Sequence, residues 1–223
     1  MRPWSFLLLS LLAGCGDTLW SSALDKAVDY VSPTLAPLDD LAEPDGRALR
    51  VWVRGRPTPA VLLQELGERR VWRTSGGVVV ATEGGRITAT SGLKQMLAAT
   101  RFEGPDPLSN PAALLEQPAA ARRLVDLMAT DREPDGMRFG VAVNCRLRAE
   151  HTEDAEVLLV RETCRTSGSF GFTNRFWVEA EGGAVLRAEQ WVGPRVGLLS
   201  VEFLAPAEPE HRAPGEQASA ATP

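Results

Sequence analysis

Histidine is nearly missing from this chain of 223 residues, which holds only His151 and His211. Zinc and iron sites draw on His and Cys clusters at fixed spacings, and none is present, so no metal ligand set and no cofactor is implied. A Gly-rich phosphate loop opening a helix, a nucleophile elbow and a paired-histidine helix motif are missing as well, which leaves no catalytic residue to name. Runs of Lys and Arg are missing, and the formal charge is -5. Such a chain has no electrostatic footprint for nucleic acid and no pull toward lying flat on an anionic lipid surface. The apolar run near the start, Trp4 to Leu12, is far short of the roughly 18 to 20 residues that a membrane helix needs. It reads as the core of an export signal. Cysteine is scarce, with three residues in all.

What is present begins with that signal. Arg2 supplies one positive charge, and the apolar run ends in Leu12-Ala13-Gly14-Cys15. This ending resembles the lipobox of bacterial lipoproteins. The resemblance implies cleavage after residue 14, a diacylglyceryl group on the Cys15 thiol and an acylated amine, palmitate being one such acyl group. Each buried methylene contributes about 0.8 kcal/mol, and two or three chains anchor firmly where one alone exchanges. The alternatives are an ordinary signal peptide with an incidental cysteine, or a buried apolar N-terminus. In enteric bacteria an Asp directly after the lipidated cysteine tends to retain a lipoprotein in the inner membrane. Gly16 stands there, so the expected location is the outer membrane, on its periplasmic face, with the lipid bilayer as first partner through acylated Cys15.

After the anchor, Asp17 to Val31 carries apolar residues at helical spacing, and Ser32-Pro33 stops the helix. Pro33, Pro37 and Pro44 punctuate a linker, so 15–46 reads as the lipidated N-terminus, a short helix and a Pro-rich segment. A single β-rich domain is expected over 47–205. Beyond it, 206–223 is Pro, Ala, Glu and Ser and is expected to be disordered. Within the domain the period becomes two. Leu49, Val51 and Val53 alternate with Arg50, Trp52 and Arg54, bounded by Gly55 and Pro57, and Ala60 to Leu66 follows as a short apolar stretch. Turn signals at Gly76-Gly77, Gly84-Gly85 and Gly92 recur every eight residues with strands between them, a β-meander rather than a phosphate cradle. Gly92 to Thr100 is expected as a short helix. Gly104 to Asn110 is a loop, and Ala112 to Asp126 is open between helix, by its Ala and Leu content, and strand.

Phe139 to Cys145 and Glu156 to Cys164 read as two strands. A hairpin folded about Asp154-Ala155 pairs residues whose numbers sum to 309, which sets Cys145 opposite Cys164. Removing the lipidated cysteine leaves these two, and an oxidising periplasm favours a cross-strand disulfide worth about 2 to 3 kcal/mol. Two reduced core cysteines are the alternative. Phe172 to Ala180, the turn Glu181-Gly182-Gly183 and Ala184 to Val192 form another hairpin, and Val196 to Leu204 a final strand after Gly193-Pro194. The expected fold is mainly β, an antiparallel β-barrel or sandwich built from meanders and hairpins, with minor helices.

Several segments form a pattern in order: Val71-Trp72-Arg73-Thr74-Ser75-Gly76-Gly77, Gly84 to Leu93, Glu162-Thr163-Cys164, Asn174-Arg175-Phe176-Trp177-Val178, Gly183 to Gln190 and Gly193-Pro194. With the lipobox, this resembles the YjbF/GfcB family of lipoproteins. The resemblance implies a mainly β lipoprotein encoded with exopolysaccharide or group 4 capsule export genes. It implies an outer-membrane barrel or polysaccharide export partner, and it carries no catalytic residues.

Flat aromatic faces stack on sugar rings, so Trp72, Trp177 and Trp191, with Trp52, are candidate glycan or partner contacts. Asn174, Arg175 and Gln190 are candidate hydrogen-bonding groups beside them; for all of these, core packing or loop satisfaction is the competing reading. His151 lies among Glu150, Glu153 and Asp154, a set that a solvated turn explains better than catalysis. The expected function is a non-enzymatic accessory in exopolysaccharide or capsule export. The alternatives are a polysaccharide-modifying enzyme using carboxylates such as Glu150, Asp154 or Glu179, and a structural lipoprotein that stabilises an outer-membrane barrel.

Overall fold

A computed structural model describes residues 48–129, 136–168 and 170–204. Cys15, the expected helix over 17–31, the linker and the tail over 206–223 lie outside the described residues. The strands are β1 (Ala48–Val53), β2 (Arg56–Leu66), β3 (Arg69–Thr74), β4 (Val79–Glu83), β5 (Arg86–Ser91) and β6 (Gln95–Phe102). A 3-10 turn (Pro107–Ser109) and one helical turn, α1 (Ala113–Glu116), follow. The second half holds β7 (Ala119–Ala129), β8 (Arg138–His151), β9 (Val157–Thr166), β10 (Gly171–Glu179), β11 (Val185–Trp191) and β12 (Leu198–Leu204).

All twelve strands form one antiparallel sheet in the order β5-β4-β3-β2-β1-β12-β11-β10-β9-β8-β7-β6. Each strand pairs with its chain neighbours except β5 with β6, and β12 pairs with β1, with Leu49 opposite Phe203 and Val51 opposite Val201. β5 and β6 lie side by side at the one seam of a nearly closed barrel. There Thr90 Oγ1 accepts the Leu97 N–H at 3.0 Å. The fold is the barrel form of the expected antiparallel architecture.

The pleat explains the elements. In β9, Leu158, Val160, Glu162 and Cys164 are buried while the residues between them are not; period-two burial marks a sheet with one face on the core. Leu49, Val51, Val80, Ile87, Leu97, Leu127, Leu147, Phe176 and Val201 fill the barrel.

Two stretches differ from expectation, and an open one is resolved. Gly92 to Thr100 holds no helix: Gln95 and Leu97 point into the core, and β6 pairs along β7 from Gln95 opposite Ala129 to Phe102 opposite Arg123. Its helical spacing was too short to outweigh a paired edge. In the open segment, α1 spans only Ala113–Glu116 and the chain leaves it extended at Gln117 before Pro118. From there Arg123, Val125, Leu127 and Ala129 alternate inward in β7. Pro57 and Pro59, finally, lie inside β2 rather than at a break. They pair with Trp52 and Arg50 of β1, while pairing with β3 begins only at Ala60. A proline's missing N–H costs nothing on an unpaired side.

Candidate functional site

Glu162 lies on the inward face of β9 with no exposure. A carboxylate on the core face must be paired or be neutral, and three neighbours pair it. Arg86 from β5 donates at 3.1 Å, Arg123 from β7 at 2.8 Å and Asn174 from β10 at 2.5 Å. Arg86 also grips both oxygens of Asp106, at 2.6 and 2.9 Å. Its guanidinium stands 5.1 Å from the Phe102 ring and 4.8 Å from that of Phe176. Two guanidiniums therefore meet two carboxylates, and the cluster is neutral.

Burial works to raise the Glu162 carboxyl, but the charges of Arg86 and Arg123, together with the Asn174 amide, bring it down to about 2. Burial lowers Arg123, and Glu162 offsets only part of that. For Arg86 the two carboxylates outweigh burial and raise it. The Glu162 carboxylate is ionised at neutral pH, between two arginines that stay protonated.

The disulfide forms the next layer. Cys145 faces Cys164 in the β8–β9 register, and the sulfurs are bonded at 2.11 Å. Arg123 lies 3.5 Å from the Cys145 sulfur. Cys145, Glu162 and Cys164 hold ligand atoms within 4.8 Å of one another, yet they do not fit a cation. The sulfurs are spent on each other and the carboxylate is held by two guanidiniums.

Two glutamines tie the seam strands to the opposite wall. Gln190 of β11 accepts the Ile87 N–H at 3.1 Å and donates to the Ile87 carbonyl at 2.6 Å, taking the place of a neighbouring strand for β5. Gln95 of β6 accepts the Arg195 N–H at 3.1 Å. The approach is close enough to require glycine. A Cβ on Gly85 would collide with Val185 and one on Gly193 with the Gln95 amide, and both residues have positive φ.

The outer wall over β8 and β9 presents a groove of about 820 Å³, whose lining includes Arg146, Arg148, Glu150, Arg161, Thr163 and Arg165. Glu150 accepts from Arg161 at 2.6 Å and from Arg148 at 3.1 Å. The hydrogen bond from Arg161, ahead of that from Arg148, holds the Glu150 carboxyl below the usual carboxylate range.

With this geometry in place, the chain can be set beside known proteins. Residues 34–204 match the family described as "Group 4 capsule polysaccharide lipoprotein gfcB, YjbF". The chain belongs to the YjbF family. A solved structure, the hypothetical lipoprotein YmcC from Escherichia coli K12, superposes with a TM-score of 0.64 at 19% sequence identity, covering 81% of this chain and 97% of that one. At that identity the likeness concerns the fold. Comparison with curated protein sequences gives no match.

Several of the residues that carry the YjbF pattern build the interior. Of the contact candidates, Trp72, Asn174, Gln190 and Trp191 are buried. Trp72 donates its indole N–H to Thr82 Oγ1 at 3.0 Å, and Asn174 accepts the Trp191 backbone N–H at 2.8 Å. Trp191 stacks on Phe172 with ring centres 4.5 Å apart. For these four the core reading holds: all are buried, although the Trp191 indole N–H meets no acceptor among the described residues. Trp177 is half-buried on the outer wall, where the Arg187 guanidinium stands between it, at 4.8 Å, and Trp52, at 5.5 Å. Arg175 pairs with Glu189 at 3.2 Å. His151 is exposed at the end of β8, and Asp154 shapes the following turn by accepting the Glu156 N–H at 2.9 Å.

Sequence reading missed Arg86, Asp106, Arg123 and Glu162, and also the outer arginines. Glu162 carried a signal: it lies two residues from Cys164, hence on the same face as the expected disulfide.

Proposed function

We propose that this YjbF-family protein is a lipid-anchored, non-enzymatic accessory in the export or assembly of a surface polysaccharide. In this reading residues 1–14 are removed, Cys15 is acylated, and the domain over 47–205 works on the periplasmic face of the outer membrane beside an export partner. The family match supports the pathway. The observation that carries the non-enzymatic part is the state of the acids: Glu162 is sealed between two guanidiniums and an amide, and Glu150 is held by two further arginines. Glycosidic chemistry needs one carboxyl free to give a proton and another free to attack or activate water. Glu162 and Glu150 are both held in the ionised, paired state.

The test is a deletion strain grown under polysaccharide-producing conditions and complemented with the wild type or with Cys15→Ser. Expected are polysaccharide retained in the periplasm and rescue by the lipidated form alone. Unchanged export in the deletion strain overturns the reading. Shortening of purified polysaccharide by the pure protein overturns its non-enzymatic part.

A further inference from the structure

The groove over β8 and β9 is positive on a protein whose formal charge is -5. Its charges follow from the hairpin register. Outward positions pair as Asn144 with Arg165, Arg146 with Thr163 and Arg148 with Arg161. Every one of these rows carries at least one guanidinium. Successive outward rows are two residues apart, roughly 7 Å, so the three rows draw a line of positive charge about 14 Å long. At its end Glu150 engages Arg148 and Arg161. Arg146 and Arg165 are exposed and meet no carboxylate among the described residues.

We propose that this groove binds an acidic polysaccharide, through carboxylate or phosphate groups repeated along the glycan. The inference rests on the export reading above and names its ligand. Guanidinium forks grip planar or tetrahedral oxyanions with two hydrogen bonds, and a line of them fits repeated acids better than one isolated anion. Asn144 and Thr163 stand between the arginines and suit sugar hydroxyls. A lipid-reading surface places large apolar side chains beside its basic ones, and the exposed Phe139, Phe170 and Leu198 line no part of this groove. A strand-binding site for nucleic acid stacks bases on aromatics, and the groove lining has none.

The experiment uses the full-length lipidated protein in detergent, titrated by calorimetry with polygalacturonate oligosaccharides, neutral dextran, inorganic phosphate and the soluble lipid head group glycerophosphoglycerol. Expected is binding of polygalacturonate that weakens as salt rises, with no binding of dextran. R146A/R165A weakens it about tenfold or more, R146K/R165K weakens it less because the charge stays and the fork goes, and R56A/R69A, at exposed sites outside the groove, leaves it unchanged. The melting temperature of R146A/R165A stays at the wild-type value, which separates lost binding from lost fold. Dextran binding equal to polygalacturonate, or full binding by R146A/R165A, overturns the proposal. Binding to glycerophosphoglycerol without binding to polygalacturonate overturns it in favour of a lipid-phosphate site, and binding to inorganic phosphate alone in favour of a single-anion site. If the deletion strain exports normally while the groove still binds polygalacturonate, the export reading fails and the site stands. The reverse result removes the site and leaves the accessory role.

Discussion

Glu162 and Glu150 are each held by two arginines, and they differ in almost everything that follows. Glu162 meets Arg86 and Arg123 with side-chain exposures of 0%, 1% and 3%. Glu150 meets Arg148 and Arg161 with exposures of 33%, 63% and 39%. Inside, no water can replace a lost partner, so removing one leaves an uncompensated charge. Outside, water and salt screen the pair, and it contributes little to stability. The lesson is that one motif holds the fold together where it is dry and stays available to a ligand where it is wet.

The comparison breaks most visibly at its buried member. Glu162→Ala is expected to cost about 3 to 5 kcal/mol in chemical denaturation, because two guanidiniums lose their shared acceptor; a cost under about 1 kcal/mol would show that water reaches the interior cluster. The pH dependence comes next. Glu162 is depressed to about 2 in the folded chain, against roughly 4.3 for an unperturbed Glu. Its contribution is therefore complete above about pH 4.3 and is lost as pH falls through about 2, on the order of 3 kcal/mol in all. Between these limits the melting temperature should fall with pH for the wild type and depend less on pH for Glu162→Gln.

Cys145→Ser with Cys164→Ser is expected to lose about 2 to 3 kcal/mol, the share of one cross-link over a short loop. A reductant that shifts the melting point of the wild type but not of this variant checks it. Gln190→Leu, which leaves the Ile87 N–H and carbonyl without their partner, should cost about 1 to 3 kcal/mol, read as faster amide exchange at Ile87. The smallest stability effect belongs to the outer pair. Glu150→Gln should move stability by less than about 1 kcal/mol while tightening polygalacturonate binding, since it frees two guanidiniums. A large loss of stability there would erase the distinction between the two clusters.

Much of this was legible in the sequence. The β-meander showed in glycines spaced by eight residues, and the hairpin sum of 309 gave the register that joins Cys145 to Cys164. The interior cluster was harder for definite reasons. Arg123 sits in an Ala-rich stretch whose period could not be assigned, so its face could not be assigned either. Arg86 and Asp106 come from a strand and a loop, and no local pattern joins them to Glu162. The outer arginines escaped because a basic surface was sought as a run of consecutive residues. A strand interleaves its surface with its core: Arg146 and Arg148 flank Leu147, and Arg161 and Arg165 are separated by Glu162, Thr163 and Cys164. The tryptophans and amides of the YjbF pattern stayed open between contact and core, because aromatic faces and amides serve glycan and core alike. Burial alone distinguishes the two roles.

The closure of β12 onto β1 sets an order of events for a chain that emerges from its N-terminus. Every other ladder joins neighbours in the chain and can form as they appear, but Ala48 waits for Leu204. Until then β1 carries an open edge, the kind of edge on which chains associate wrongly. Arg50 sits on that edge, opposite the future position of Glu202, and forms an ion pair with it at 2.5 Å once the strand arrives. A charge at the waiting edge discourages a foreign strand, and the last strand brings the matching carboxylate that seals the barrel.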